Sequence, residues 1–185
     1  MSILKVARMG HPVLRAKART LDKSELKNAD VQQFIDSLID TMHEYSGVGL
    51  AAPQVHESRR IFVAMLDPDG RGDGEAIAFV NPEITVLSDQ IVEGWEGCLS
   101  IPEIRGRVPR AQHIKVSALD RYGKRFELEL RDFPARVVQH ETDHLDGVLF
   151  FDRMKTFESL TYLEEYSRYH VRHDDDDDDE AEDDE

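Results

Sequence analysis

The chain has one cysteine, Cys98, one tryptophan, and far fewer basic than acidic residues, 23 against 38 over 185 positions. A single cysteine excludes an internal disulfide framework and fits a reducing compartment, so any use of Cys98 is as a thiol. No apolar run approaches the roughly 18 residues that a membrane span needs. The opening residues have neither the basic-then-apolar order of a secretory signal nor the Arg- and Ser-rich character of a transit segment. A cytoplasmic location without membrane attachment is expected.

The shortage of basic charge is uneven. Eleven acidic residues and no basic one lie between Asp174 and Glu185, and the rest of the chain holds 23 basic against 27 acidic residues. Such a balance is poorly suited to neutralising phosphates, so direct DNA binding is not expected. The tail cannot bury apolar surface and its charges repel one another, which predicts disorder over 171–185. With 40% of residues hydrophobic and eight Phe, the remaining 1–170 has material for one folded domain with its own core.

Val31, Phe34, Leu38, Met42 and Tyr45 recur at spacings of three or four with one turn skipped, which predicts an amphipathic helix. Asn28 or Asp30 stands where a cap belongs, and Gly47 where a left-handed terminating residue would sit. Segments 60–66, 76–80, 83–87, 113–119 and 126–130 are β-branched and apolar between Gly, Pro and Asp breaks, and read as strands. Arg121, Tyr122 and Gly123 suit a hairpin turn. A second helix is expected from Pro134 to Gly147, since proline favours a first turn and glycine follows a last one. A third is expected over 156–168. Helix, several strands, then helix predicts an α+β domain with largely antiparallel sheets rather than alternating βαβ units.

The sharpest chemical signal is His140-Glu141-Thr142-Asp143-His144 on the second helix. Histidines four apart project from one face, so both imidazoles can reach one metal while the intervening glutamate stands beside it. A catalytic site of this kind needs a third protein ligand and a fourth position left open. A third histidine in the metzincin pattern would fall at position 150, which is Phe150. Two candidates remain: a carboxylate from Glu164 or Glu165, giving a thermolysin-like peptidase, and the thiolate of Cys98, a strong soft ligand flanked by Gly97.

Three segments together bring a family into view. GVGLAAPQ at 47–54, EGCLS at 96–100 and QHETDHL at 139–145 resemble, in order, the three motifs of bacterial-type peptide deformylases. The similarity runs from RMGHPVLR at 8–15 to about Asp152 and includes IPEIR at 101–105, whereas the Asp-rich tail has no counterpart in it. The resemblance implies an enzyme that removes the formyl group from N-terminal formyl-methionine of newly made polypeptides, releasing formate. It implies that Cys98, His140 and His144 hold one divalent metal, ferrous iron by preference, although zinc, nickel or cobalt also suit such ligands. It makes Glu141 the general base and then acid, with the Gln54 amide and the Leu99 backbone N–H as donors to the developing oxyanion. Val48, Gly49 and Gly97 would line the peptide groove, and Phe133, Val137 and the stem of Arg105 the methionine pocket. Ordinary core packing is the competing reading for Phe133 and Val137.

Asp143 and Asp146 could orient a ligand histidine, but as helix-surface charges they are expected to be solvated. His170 and His173 adjoin six aspartates and could hold a divalent cation weakly; solvation is the expectation there too. The partners implied are formyl-methionyl peptides and nascent chains, with transient ribosome contact that the acidic tail would weaken. A metal-binding adaptor without catalysis is a further alternative, disfavoured by the presence of Glu141 and Gln54.

Overall fold

The computed structural model describes residues 2–66 and 74–171, so the expected disorder of the tail and the position of His173 lie outside the described residues. Helix α1 spans Ala29–Glu44, β1 Gly49–Ala51, β2 Ile61–Ala64, β3 Ile77–Val86, β4 Ile91–Cys98, β5 Ile101–Ala111, β6 His113–Leu119, β7 Arg125–Arg131, α2 Asp132–Leu145, β8 Thr161–Tyr162 and α3 Leu163–Tyr169. The strands form two antiparallel sheets, ordered β1-β2-β3-β6-β7 and β4-β5-β8. The expected α+β class with antiparallel sheets holds. Helix α2 packs against strands of both sheets and carries the His140–His144 motif between them.

Helix α1 turns Val31, Ile35, Leu38 and Met42 into a core with Leu50, Ile61 and Val63. Each such side chain contributes about 1.5–3 kcal/mol on burial, which is ample to dock a helix that would be marginal alone. Its left-handed terminating residue is Ser46, at φ 52°, and not Gly47. A second core beneath α2 stacks Phe62 on Phe79, 4.6 Å between ring centres, with Val116, Ala135, Val137 and Val138 around them.

Other boundaries differ from the sequence reading. The segments 76–80 and 83–87 are one strand, β3, whose register against β6 shifts between Val80 and Glu83, where Asn81 lies at φ 50°. Strands β4 and β5 were not anticipated, because Gly94, Gly97, Pro102, Gly106 and Pro109 break up any alternation; pairing with each other along nearly their whole length supplies what propensity does not. The third helix is only α3, since Thr161 and Tyr162 pair with β5 instead. The Arg121–Gly123 turn joins β6 to β7 as expected, with Gly123 at φ 82°. Helix α2 ends where Gly147 adopts φ 74°, and a Cβ there would stand 2.7 Å from the Arg15 carbonyl oxygen, so both backbone and space require glycine. Among the described residues, no helix is long and apolar enough to cross a membrane.

Candidate active site

Strand β4 ends in Glu96-Gly97-Cys98, with Glu96 and Cys98 both buried and, being two apart, on the same face of the strand. Leu99 and Ser100 then turn the chain into β5. The N-terminal segment fastens this turn and the Gln54 segment together: the Ala7 N–H donates to the Gln54 carbonyl at 2.7 Å and the Met9 N–H to the Ser100 carbonyl at 2.9 Å. Helix α2 brings His140, Glu141 and His144 to the same place, all three buried. The ligand atoms of Cys98, His140 and His144 lie within 4.8 Å of one another, and Cys98 Sγ is 3.3 Å from His144 Nε2. One thiolate and two imidazoles in a buried cluster are a donor set that fits a divalent transition metal.

The electrostatics of the cluster suit that use. Burial opposes ionisation of Cys98, but the facing imidazoles outweigh it and hold the thiol well below its ordinary value. Burial likewise opposes protonation of His140, and the Cys98 and Glu96 side chains overcome it, raising His140 well above its usual value. Desolvation pushes Glu141 the other way, up to about 7, against the attraction of the two histidines. Glu141 Oε2 and His144 Nδ1 are buried without a hydrogen-bond partner among the described residues.

Glu141 rests directly on the backbone of β1: a Cβ on Gly49 would come within 2.8 Å of the Glu141 Cγ and Cδ atoms. Gln54 is held by its own Oε1, which accepts from the Ala51 N–H at 2.8 Å, leaving its Nε2 to point at Cys98 Sγ and Ser100 Oγ, each 3.4 Å away. A cavity of about 410 Å³ opens over this cluster, and Val48, Gly49, Gln54, Gly97, Leu99 and Arg105 share it with Cys98, His140 and Glu141.

Not every expected residue arrives there. Val137 is buried in the core beneath α2, and Phe133 packs partly buried against that core while lining a different cavity with Val92, Gly94 and Arg136. Neither lines the cleft that holds Cys98, to which α2 contributes His140 and Glu141. Glu164 and Glu165 stand on exposed α3, paired with Arg168, so neither completes the histidine pair. His170 is exposed, with its ring 4.9 Å from that of Trp95, and the aspartates beside it lie outside the described residues.

The structure also corrects the reading of Asp143, which is buried and accepts from Arg110 at 2.5 Å and Arg153 at 2.6 Å. Asp146 is partly exposed and pairs with Arg60 at 2.7 Å. The carboxylate that touches a ligand histidine is Glu96, whose Oε2 lies 2.9 Å from His140 Nδ1 and which also accepts from Arg110 and Arg136. The sequence reading gave Glu96 no role. Its place two residues before Cys98 was the signal, had β4 been recognised as a strand.

The sequence pattern of the family described as polypeptide deformylase matches residues 3–159. The chain belongs to the polypeptide deformylase family. It is 46% identical over 168 residues to peptide deformylase 2 of Nostoc sp., covering 89% of this chain and 93% of that one. It is 43% identical over 152 residues to peptide deformylase 1B, chloroplastic/mitochondrial, of Arabidopsis thaliana; the match takes in 82% of this chain and 54% of that longer relative. Among solved structures it resembles the Met-Ala-Ser-bound class I type b peptide deformylase of Acinetobacter baumannii, with a TM-score of 0.76, 41% identity, and coverage of 83% of this chain and 100% of that one. As a deformylase the chain is a metal-dependent hydrolase that removes the N-terminal formyl group, and the thermolysin-like and adaptor alternatives fall away.

Proposed function

We propose that the cleft over Cys98, His140 and His144 is where this deformylase cuts the formamide bond of formyl-methionyl peptides, with Glu141 as its proton-transfer group. The observation that carries this reading is that buried Cys98, His140 and Glu141 line one cavity, with the buried His144 imidazole 3.3 Å from the Cys98 sulfur. Cys98, His140 and His144 would hold a divalent cation, which would supply Lewis acidity and make an attacking water more acidic. Glu141, held near neutrality by its burial, takes the proton from that water and returns it to the departing amine. The Gln54 amide donates towards the charge that develops on the carbonyl oxygen, and the Leu99 N–H, at the rim of the same cavity, is the second donor.

Strand β1 is at the edge of its sheet, and Val48 and Gly49 line the cavity, so an extended peptide pairs there as an added strand. The tripeptide named in the Acinetobacter baumannii structure supports such an occupant. Ferrous iron is the metal we favour, with zinc, nickel and cobalt as alternatives that the same donors accept. A cytoplasmic enzyme acting on nascent chains, with the acidic tail disfavouring tight ribosome contact, completes the reading.

Formate release from a formyl-Met tripeptide by ferrous-loaded protein under anaerobic conditions tests it, with Glu141→Ala as the paired control. Turnover that collapses in the variant, by about 10²–10⁴-fold with metal retained, supports the assignment. Equal turnover by parent and variant overturns it. Equal activity lifetimes in air and under nitrogen would count against iron, since oxygen attacks both ferrous iron and a cysteine thiolate.

A further inference from the structure

The family match ends at residue 159, yet the chain beyond it returns to the cleft. Strand β8 pairs with β5, Thr161 opposite Arg105 and Tyr162 opposite Ile104. That pairing delivers the next residue, Leu163, into the wall of the cavity that holds Cys98, Gln54 and Glu141, beside Pro102 and Arg105. A second cavity, lined by Glu103, Tyr162, Leu163, Glu164 and Ser167, shares Glu103 and Leu163 with the first, so these two residues stand at the junction of the two cavities, where β5 meets α3. Glu103, at this junction, lies at φ 60°, a left-handed conformation that a residue with a Cβ keeps only where its surroundings enforce it. The wall is anchored from behind: the Tyr166 and His170 rings of α3 sit 5.0 and 4.9 Å from the Trp95 ring on β4. A seven-residue helix does not hold itself, and these contacts fix it independently of Leu163.

We propose that Leu163 is a specificity-determining residue of this enzyme, forming the apolar wall against which a side chain following the formyl-methionine packs. The proposal rests on the reading that the cavity holds a formyl peptide. In an extended peptide successive side chains alternate in direction, so the two residues after methionine meet opposite walls of the groove and one of them faces Leu163. Leu163, Pro102 and the Arg105 stem offer that residue apolar surface, which favours a leucine-like side chain over alanine or lysine.

The test measures kcat/KM for formate release by the metal-loaded full chain on formyl-Met-X-Ala and formyl-Met-Ala-X peptides, with X as Leu, Ala or Lys. The parent is expected to prefer Leu over Ala at one of these positions by about three- to tenfold, the low end for an apolar wall open on one side. Leu163→Ala should abolish that preference, largely through KM, and Leu163→Met should restore it. Leu163→Glu should turn the preference towards Lys, a reversal that loss of packing alone does not produce. Each variant is checked for a parent-like thermal transition, and because the position is half-buried at a cleft wall, Leu163→Glu stands as a separate reading if Leu163→Ala fails to fold. A parent without preference at either position, or an unchanged preference in both folded variants, overturns the proposal. Absence of turnover by the parent on every peptide overturns the cleft assignment itself, and the two failures are thereby distinguished.

Discussion

Glu96 Oε2 lies 2.9 Å from Nδ1 of His140, which fixes that imidazole with its other nitrogen directed at Cys98 and His144. The carboxylate is buried and held by three partners, so it sets the ring's orientation and raises its basicity as a ligand. Glu96→Gln keeps the shape and removes the charge. Metal affinity, measured by competition with a chromogenic chelator, should fall about 10- to 100-fold, with turnover of the metal-saturated variant falling less. Parent-like affinity would show that the hydrogen bond is incidental.

The same carboxylate predicts how the metal-free protein responds to acid. Burial works against its ionisation, but His140 and Arg110 more than compensate and hold Glu96 far below the ordinary carboxylate range. A group whose folded pKa is depressed contributes stability above its unfolded value, about 4.3, and loses it as pH falls through the folded value. The stability gap between parent and Glu96→Gln, from urea titrations with chelator present, should therefore be fully present near pH 5 and narrow progressively below about 4. A gap that widens in acid contradicts the assignment.

Arg110 bridges Glu96 on β4 and Asp143 on α2, and so ties the strand bearing Cys98 to the helix bearing His144. All three side chains are buried, and Arg110→Ala would strand two carboxylates in the interior. Unfolding free energy should drop by about 3–5 kcal/mol. Arg168→Ala, which breaks an exposed pair with Glu164 and Glu165, should cost less than about 1 kcal/mol. Similar losses in the two variants, compared by urea midpoints, would deny the buried network its structural weight.

Gln54 is oriented by the bond it accepts from Ala51, so its amide donors face the cluster before any substrate arrives. Gln54→Ala should lower kcat by about 10²–10³ with metal content unchanged. Gln54→Glu should be no better, because a carboxylate offers no donor. Recovery of activity in the glutamate variant would remove the amide from the mechanism.

Legibility followed range along the chain. Periodicity and capping placed α1 and α2 and the β6–β7 turn, since those depend on neighbours three or four residues away. The long β4–β5 hairpin escaped, because its glycines and prolines carry no alternation and its stability comes from pairing. With β4 unseen, Glu96 had no face and no role.

Sequence alone singled out the candidates: the His140–His144 spacing with Glu141, and the Cys98 and Gln54 segments through their resemblance to a family, are local patterns. Tertiary structure alone decided what surrounds them. It buried Asp143 with Arg110, turned Val137 into the core, packed Phe133 against it and brought Leu163 to the cleft wall. Those outcomes depend on contacts between residues distant in the chain, formed only when two sheets close around α2, and no short-range pattern records them.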